Sequence, residues 1–167
     1  MLQHCAMSDS AIFSLPDDAA PKIRALYDYW LSIRPADAPL PGRRHLDPLD
    51  IPELLPNIWM VDVVRDPLRF RFRLIGTEIV KFAGRDLTGS WLHEVVEGYE
   101  GSEAFRFHQR AVETGRPGYR RGGLLFDPSN TGLTAERLYL PLAQDGRTVD
   151  ILLIMTMYHG RPPRRRR

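Results

Sequence analysis

Apolar residues recur along this chain with two different periods, and the switches between them mark its elements. From Pro21 to Arg34, Ile23, Leu26, Tyr27, Trp30 and Leu31 fall at three- and four-residue intervals, the spacing that puts side chains on one face of a helix. Asp17 and Asp18 lie just upstream and Pro21 suits a first turn, so the pattern predicts an amphipathic helix. Pro35, Pro39, Pro41, Pro48, Pro52 and Pro56 punctuate the next stretch of chain. Each removes a backbone donor and fixes φ, so this connector is expected to hold at most one short helical turn, near Leu49 to Leu55.

Ile58 to Val64 is apolar except for Asp62, and Arg65-Asp66-Pro67 supplies a turn before Leu68 to Leu74, which together predict a hairpin. The second arm alternates: Leu68, Phe70, Phe72 and Leu74 are expected on one face, Arg69, Arg71 and Arg73 on the other. Short helical turns fit Thr77 to Phe82 and Trp91 to Val96, on either side of a glycine-bounded segment, Gly84 to Gly89. A longer helix, Ser102 to Thr114, carries Ala104, Phe105, His108, Ala111 and Val112 on one stripe before Gly115 and Pro117 stop it. Three strands complete the chain: Tyr119 to Phe126, Glu136 to Leu142, and Val149 to Tyr158, the last two joined around Asp145-Gly146.

Two strands, then helices, then three strands suit an α+β fold, an antiparallel sheet with helices gathered on one face. Ile58 to Val64 and Ile151 to Met157 are apolar on both sides and are expected to be central neighbours, with the arginine-bearing strand at an edge. Three segments sharpen this picture: Phe70 to Thr77 (FRFRLIGT), Gly84 to Gly89 (GRDLTG) and Glu136 to Leu142 (ERLYLPL). In this order they resemble a small bacterial PAS-like family often found as stand-alone proteins, over roughly residues 26 to 158. The resemblance implies a five-stranded antiparallel sheet of order 2-1-5-4-3. It also implies a sensory or regulatory module that binds a small molecule in its core, a signalling protein, or both. PAS-like modules often dimerise through an N-terminal helix, so a homodimer is expected, with Ile23, Leu26, Tyr27, Trp30 and Leu31 as its candidate interface. That stripe is also expected to cover the outer face of the sheet, from its own chain or from a second one. No kinase, cyclase or helix-turn-helix output segment is visible, so output is expected to pass through a partner.

Candidate chemistry is sparse. Phe70, Phe72, Phe105, His108 and Phe126 are candidate lining residues for a core cavity, although packed aromatics give the same pattern. The resemblance makes His108 the one residue placed to ligate a haem, but a buried histidine held by a hydrogen bond is the expected role, and no cofactor is named. His4, His45 and His159 lack metal-site spacing, and His93-Glu94 is expected to form no catalytic pair. Asp86 and Thr88 are expected to cap turns, and Arg69, Arg71 and Arg73 to form a solvated edge. The single Cys5 excludes an internal disulfide and lies outside the domain, where it cannot serve a flavin photosensor.

Composition changes little except at one end. The net charge of +2 includes five positive charges from Arg161 and Arg164 to Arg167, which leaves −3 on the rest, too little to suggest sequence-specific nucleic-acid binding. The expected organisation is a flexible segment (1–18), an amphipathic helix with its connector (19–56), a PAS-like core (57–159) and a disordered basic tail (160–167). With no apolar run long enough to span a bilayer, a cytoplasmic protein is expected. The competing function is a small α+β enzyme of the cone-shaped isomerase type acting on a hydrophobic substrate; a 2-1-5-4-3 sheet would support the PAS-like reading, and a buried isolated carboxylate in an open apolar cone the enzyme.

Overall fold

The two segments that are apolar on both sides lie side by side at the centre of the sheet. In the computed structural model, which describes residues 13–125 and 132–160, β1 (Ile58–Val64) pairs antiparallel with β5 (Ile151–His159). On the other side of β1 lies β2 (Arg69–Ile75), while β4 (Thr134–Leu142) pairs with β5 and β3 (Gly118–Gly123) with β4. The resulting order, β2-β1-β5-β4-β3, makes the fold α+β with the strand order the resemblance implied. That order supports the PAS-like reading over the cone-type enzyme.

Between β2 and β3 come α2 (Thr77–Ala83), α3 (Leu92–Val95) and α4 (Glu103–Thr114). The start of α4 is fixed by the Ser102 hydroxyl, which accepts from the Phe105 N–H, and its end by Gly115 at φ 62°, a left-handed conformation that glycine adopts without a Cβ clash. Its inward stripe, Ala104, His108 and Ala111, packs on β3, β4 and β5. The opposite face of β4 and β5 receives α1 (Pro21–Ser32), whose Ile23, Leu26 and Trp30 are buried there. Trp30 also donates its indole N–H to the Pro141 carbonyl at 3.0 Å, so its one polar atom is satisfied inside an apolar contact.

Three local features differ from the sequence expectation. The connector holds three 3₁₀ turns, Arg43–His45, Pro48–Asp50 and Leu55–Asn57, rather than one helical turn. Proline at the first or second position of so short a turn sacrifices no internal hydrogen bond, so Pro48 and Pro56 start turns instead of preventing them. The connector thereby folds back on the sheet and buries Leu40, Leu46, Ile51 and Leu54.

The second difference is in β2. The register with β1 shifts between Met60 and Val61, so that Val61 opposes Phe72 but Met60 opposes Leu74. This bulge at Arg73 reverses the parity: Phe70 and Phe72 are buried, whereas Leu74 turns to the outer side, 41% exposed, beside Ile58, Met60 and Leu153 in a pocket of about 350 Å³. Leu74 therefore does not share the face of Phe70 and Phe72. The third difference is the length of β3, which ends at Gly123, short of Phe126.

Phe126, like Cys5 and the arginine run after Gly160, lies outside the described residues. Within the segment expected to be flexible, Leu15 is buried and Asp18 forms an ion pair with Arg121 at 2.7 Å. Gly76 closes the join between β2 and α2: its N–H donates to the Ile58 carbonyl at 2.7 Å, and a Cβ there would collide with the carbonyl oxygens of Leu55, Pro56 and Ile58. Among the described residues no helix is long and apolar enough to cross a membrane.

Candidate functional site

The face of the sheet beneath α4 is the only place in the described structure where several buried polar side chains converge on aromatic walls. β1 and β5 contribute Trp59 and Thr156, which are joined by a 3.0 Å hydrogen bond from the indole N–H to the threonine oxygen. From the other strands come Phe70 and Phe72 of β2, Arg137 and Tyr139 of β4, and Arg120 of β3.

His108 of α4 is fully buried at the centre of this layer, with ring centroids of Phe70, Tyr139, Trp59 and Tyr99 at 5.0, 5.2, 5.7 and 5.8 Å. Its Nδ1 lies 2.7 Å from the Ala104 carbonyl, which can only accept, so Nδ1 carries the hydrogen. The Tyr99 hydroxyl lies 3.1 Å from the same nitrogen. Nε2 is then a bare acceptor with no partner in the structure. Burial pushes the histidine pKa down to about 3, against the bond to Ala104 and with the help of the positive charges on Arg137 and Arg120. Burial therefore favours the neutral imidazole.

The arginines are the anomaly. Arg120 and Arg137 sit directly opposite each other across β3 and β4, a like-charge cross-strand pair. Arg137 is only 2% exposed; its Nη1 donates to the Gly123 carbonyl at 2.9 Å, and its Nε has no partner. Arg120 pairs with Glu103 at 3.2 Å, but the Glu103 side chain is 63% exposed, and the Arg120 Nε is also unpartnered. Among the described residues Glu103 is the only carboxylate in ion-pair distance of either guanidinium. Burial holds the Arg137 pKa below its ordinary value and raises that of Tyr139, whose hydroxyl is likewise buried and unpartnered. The cavity at this spot is lined by Trp59, Phe72, Ile79, Leu125, Arg137, Thr156 and Tyr158 and has a volume of about 10 Å³.

Of the residues singled out in the sequence, Phe70, Phe105 and His108 meet ring to ring, Phe70–Phe105 at 6.1 Å, and Phe72 both touches Trp59 at 5.5 Å and lines the small cavity. Arg137, Tyr139, Arg120, Trp59 and Thr156 were missed. A signal for two of them existed: in Glu136 to Leu142, Arg137 has the parity of Tyr139, so an inward tyrosine implies an inward arginine. Asp86 accepts from the Thr88 N–H at 2.9 Å and from its hydroxyl at 2.7 Å, a turn-capping role. Arg73 and Arg71 reach Asp62 at 2.9 and 3.9 Å, and the free edge of β2 is partly covered by residues 89–91 through hydrogen bonds between Phe72 and both Gly89 and Ser90.

On the outer face the polar groups are all matched around Glu136, which accepts from the Ala20 N–H at 3.1 Å and the Tyr119 hydroxyl at 2.6 Å and pairs with Arg121 and His159. Burial alone would raise the carboxyl pKa, but these donors outweigh it and hold the group below its ordinary value. Beside the end of α1, half-buried Tyr27 and exposed Leu31 rim an open groove of about 400 Å³ that also carries Arg34, Arg116 and Arg147.

A family model described as PAS domain matches residues 19–156. Among solved structures, a domain of an HTR-like protein from Haloarcula marismortui is similar at 15% identity and a TM-score of 0.45, covering 61% of this chain and 97% of that one. A LOV protein from Rhodobacter sphaeroides is similar at 14% identity and a TM-score of 0.48, covering 70% of each chain. No curated protein matches.

Proposed function

The chain belongs to the PAS domain family, and on that premise we propose that it is a sensory or regulatory module, without catalysis of its own, that takes its input on the sheet face beneath α4 and passes it to a protein partner. The observation that carries this is the set of buried, unpartnered polar atoms on that face: His108 Nε2, Tyr139 Oη and the Nε atoms of Arg120 and Arg137. Buried polar groups are nearly always matched, and a cluster that is not matched is a place where a ligand gains hydrogen bonds without displacing existing ones. The outer face, where Glu136 and Trp30 are satisfied within the chain, offers no such gain.

Homodimerisation and contact with a signalling protein belong to the same proposal. Ile23, Leu26 and Trp30 are occupied by the chain's own sheet, so the part of the stripe left for a second copy is Leu31 and Tyr27 at the rim of the arginine-bearing groove. Native mass spectrometry and an absorption spectrum of protein purified from its own host test both halves together. The expected result is a dimer mass that shifts to monomer in Leu31→Glu, with an interior guest lost in Arg137→Leu. A monomer with no bound species and no co-purifying partner contradicts the proposal.

A further inference from the structure

The small cavity on the inner side of the sheet is bounded by Ile79 of α2 and Leu125 and has walls rich in hydrogen-bond donors. At about 10 Å³ it holds one water-sized species. Its polar contributors can each offer a hydrogen: the Arg137 Nε–H has no acceptor, Thr156, whose oxygen accepts from Trp59, keeps its own hydroxyl hydrogen to donate, and Tyr158 brings a hydroxyl that can donate or accept. The remaining walls are Ile79, Leu125 and the rings of Trp59 and Phe72, and among the described residues no carboxylate lines the space. A water molecule would accept from Arg137 and Thr156 but would bring two more hydrogens into a wall that is already donor-rich. An anion brings none. The charge balance points the same way: of the two facing guanidiniums only Arg120 pairs with a carboxylate, Glu103, and that carboxylate is mostly in solvent. Burying a charge without a counter-charge is costly, and a bound anion removes that cost.

We propose that this cavity binds a single monatomic anion, chloride, held by the Arg137 guanidinium and the Thr156 hydroxyl. Its role as a signal rests on the reading of the α4 face as the input side; its occupancy does not. The anion neutralises the Arg120–Arg137 pair at the junction of β3, β4 and β5, so its arrival and departure change how tightly β3 is held to the rest of the sheet. Chloride has the necessary chemistry, a single negative charge with no hydrogen to donate, and the size of the cavity separates it from carboxylates, which share that chemistry.

The test is thermal melting of the full chain in sodium chloride, bromide, formate, acetate, propionate and gluconate at matched ionic strength. With gluconate as the reference, chloride is expected to raise the melting temperature by about 3 °C along a saturating curve, bromide by less, and formate, acetate and propionate to leave it unchanged. Arg137→Leu is expected to lose the chloride response. Thr156→Val, which keeps the shape and removes the hydroxyl, is expected to shift half-saturation upward by about tenfold, the loss of one hydrogen bond to a charged group. Coincident chloride and gluconate curves overturn the site, as does a full chloride response in Arg137→Leu. If Arg137→Leu does not fold, unshifted half-saturation in Thr156→Val overturns it instead. Melting that ignores chloride while native mass spectrometry shows an organic guest discards the anion and leaves the sensory proposal standing. A chloride response in a protein that engages no partner does the reverse.

Discussion

Helices of equal length, 12 residues each, cover the two faces of the sheet, and they do so by opposite means. α1 lies over β4 and β5 on apolar contacts, with its one indole N–H matched to a carbonyl and a nearby carboxylate surrounded by donors. α4 brings a fully buried histidine down onto two tyrosines and an arginine, and leaves four polar atoms without partners. A matched dry contact maximises stability and has nothing to report. An unmatched polar layer gives up some stability and keeps a response in reserve, because its energy depends on what occupies it. The difference between the faces teaches where structure ends and input begins in this chain.

The comparison breaks most directly at Trp30. Trp30→Ala removes a buried aromatic and an interior hydrogen bond from the dry face, with an expected loss of about 4 kcal/mol in urea unfolding. A change below about 1 kcal/mol would mean that α1 is an ornament on the sheet rather than its cover. Next comes Gly76→Ala, where the collision with three carbonyl oxygens is expected to cost about 3 kcal/mol, since backbone has to move to admit the Cβ.

Acid sharpens the comparison from the other face. The folded pKa of His108 lies far below its ordinary 6.5, so the unfolded chain takes a proton that the folded chain refuses. Stability from this group is complete above about pH 6.5 and falls as the pH drops towards 3, at about 1.4 kcal/mol per pH unit. His108→Gln is expected to flatten that slope in unfolding measured between pH 6.5 and 4.5, and an unchanged slope would place the titrating group elsewhere. The smallest effect belongs to the surface: Asp62→Asn, which releases Arg71 and Arg73, is expected to cost under about 1 kcal/mol and less at high salt.

How far each element could be read from the chain depends on which physics decides it. β1 and β5 were legible because both of their faces are apolar, and that requirement comes from burial alone. The inward position of His108 was legible from helical spacing. The outward turn of Leu74 was not, because a bulge is a property of two paired strands and leaves no mark on the periodicity of one. The three turns of the connector were hidden by its prolines, whose breaking effect in long helices says little about 3₁₀ turns of three residues. Arg137 had the right parity to be inward, yet its burial is decided by α4 and by the strands on either side, which are tertiary facts.

The hydrogen bond between Trp30 and Pro141 joins positions 111 residues apart. During synthesis, the stripe of α1 leaves the ribosome long before β4 and β5, the surfaces it needs, have been made. For that interval Ile23, Leu26 and Trp30 are a greasy strip with nowhere to dock, and the full contact cannot form until the chain has grown through β4 and β5. Among these elements the helix made first has to wait for the strands made last, so its apolar stripe is the part of the fold that stays uncovered longest during synthesis.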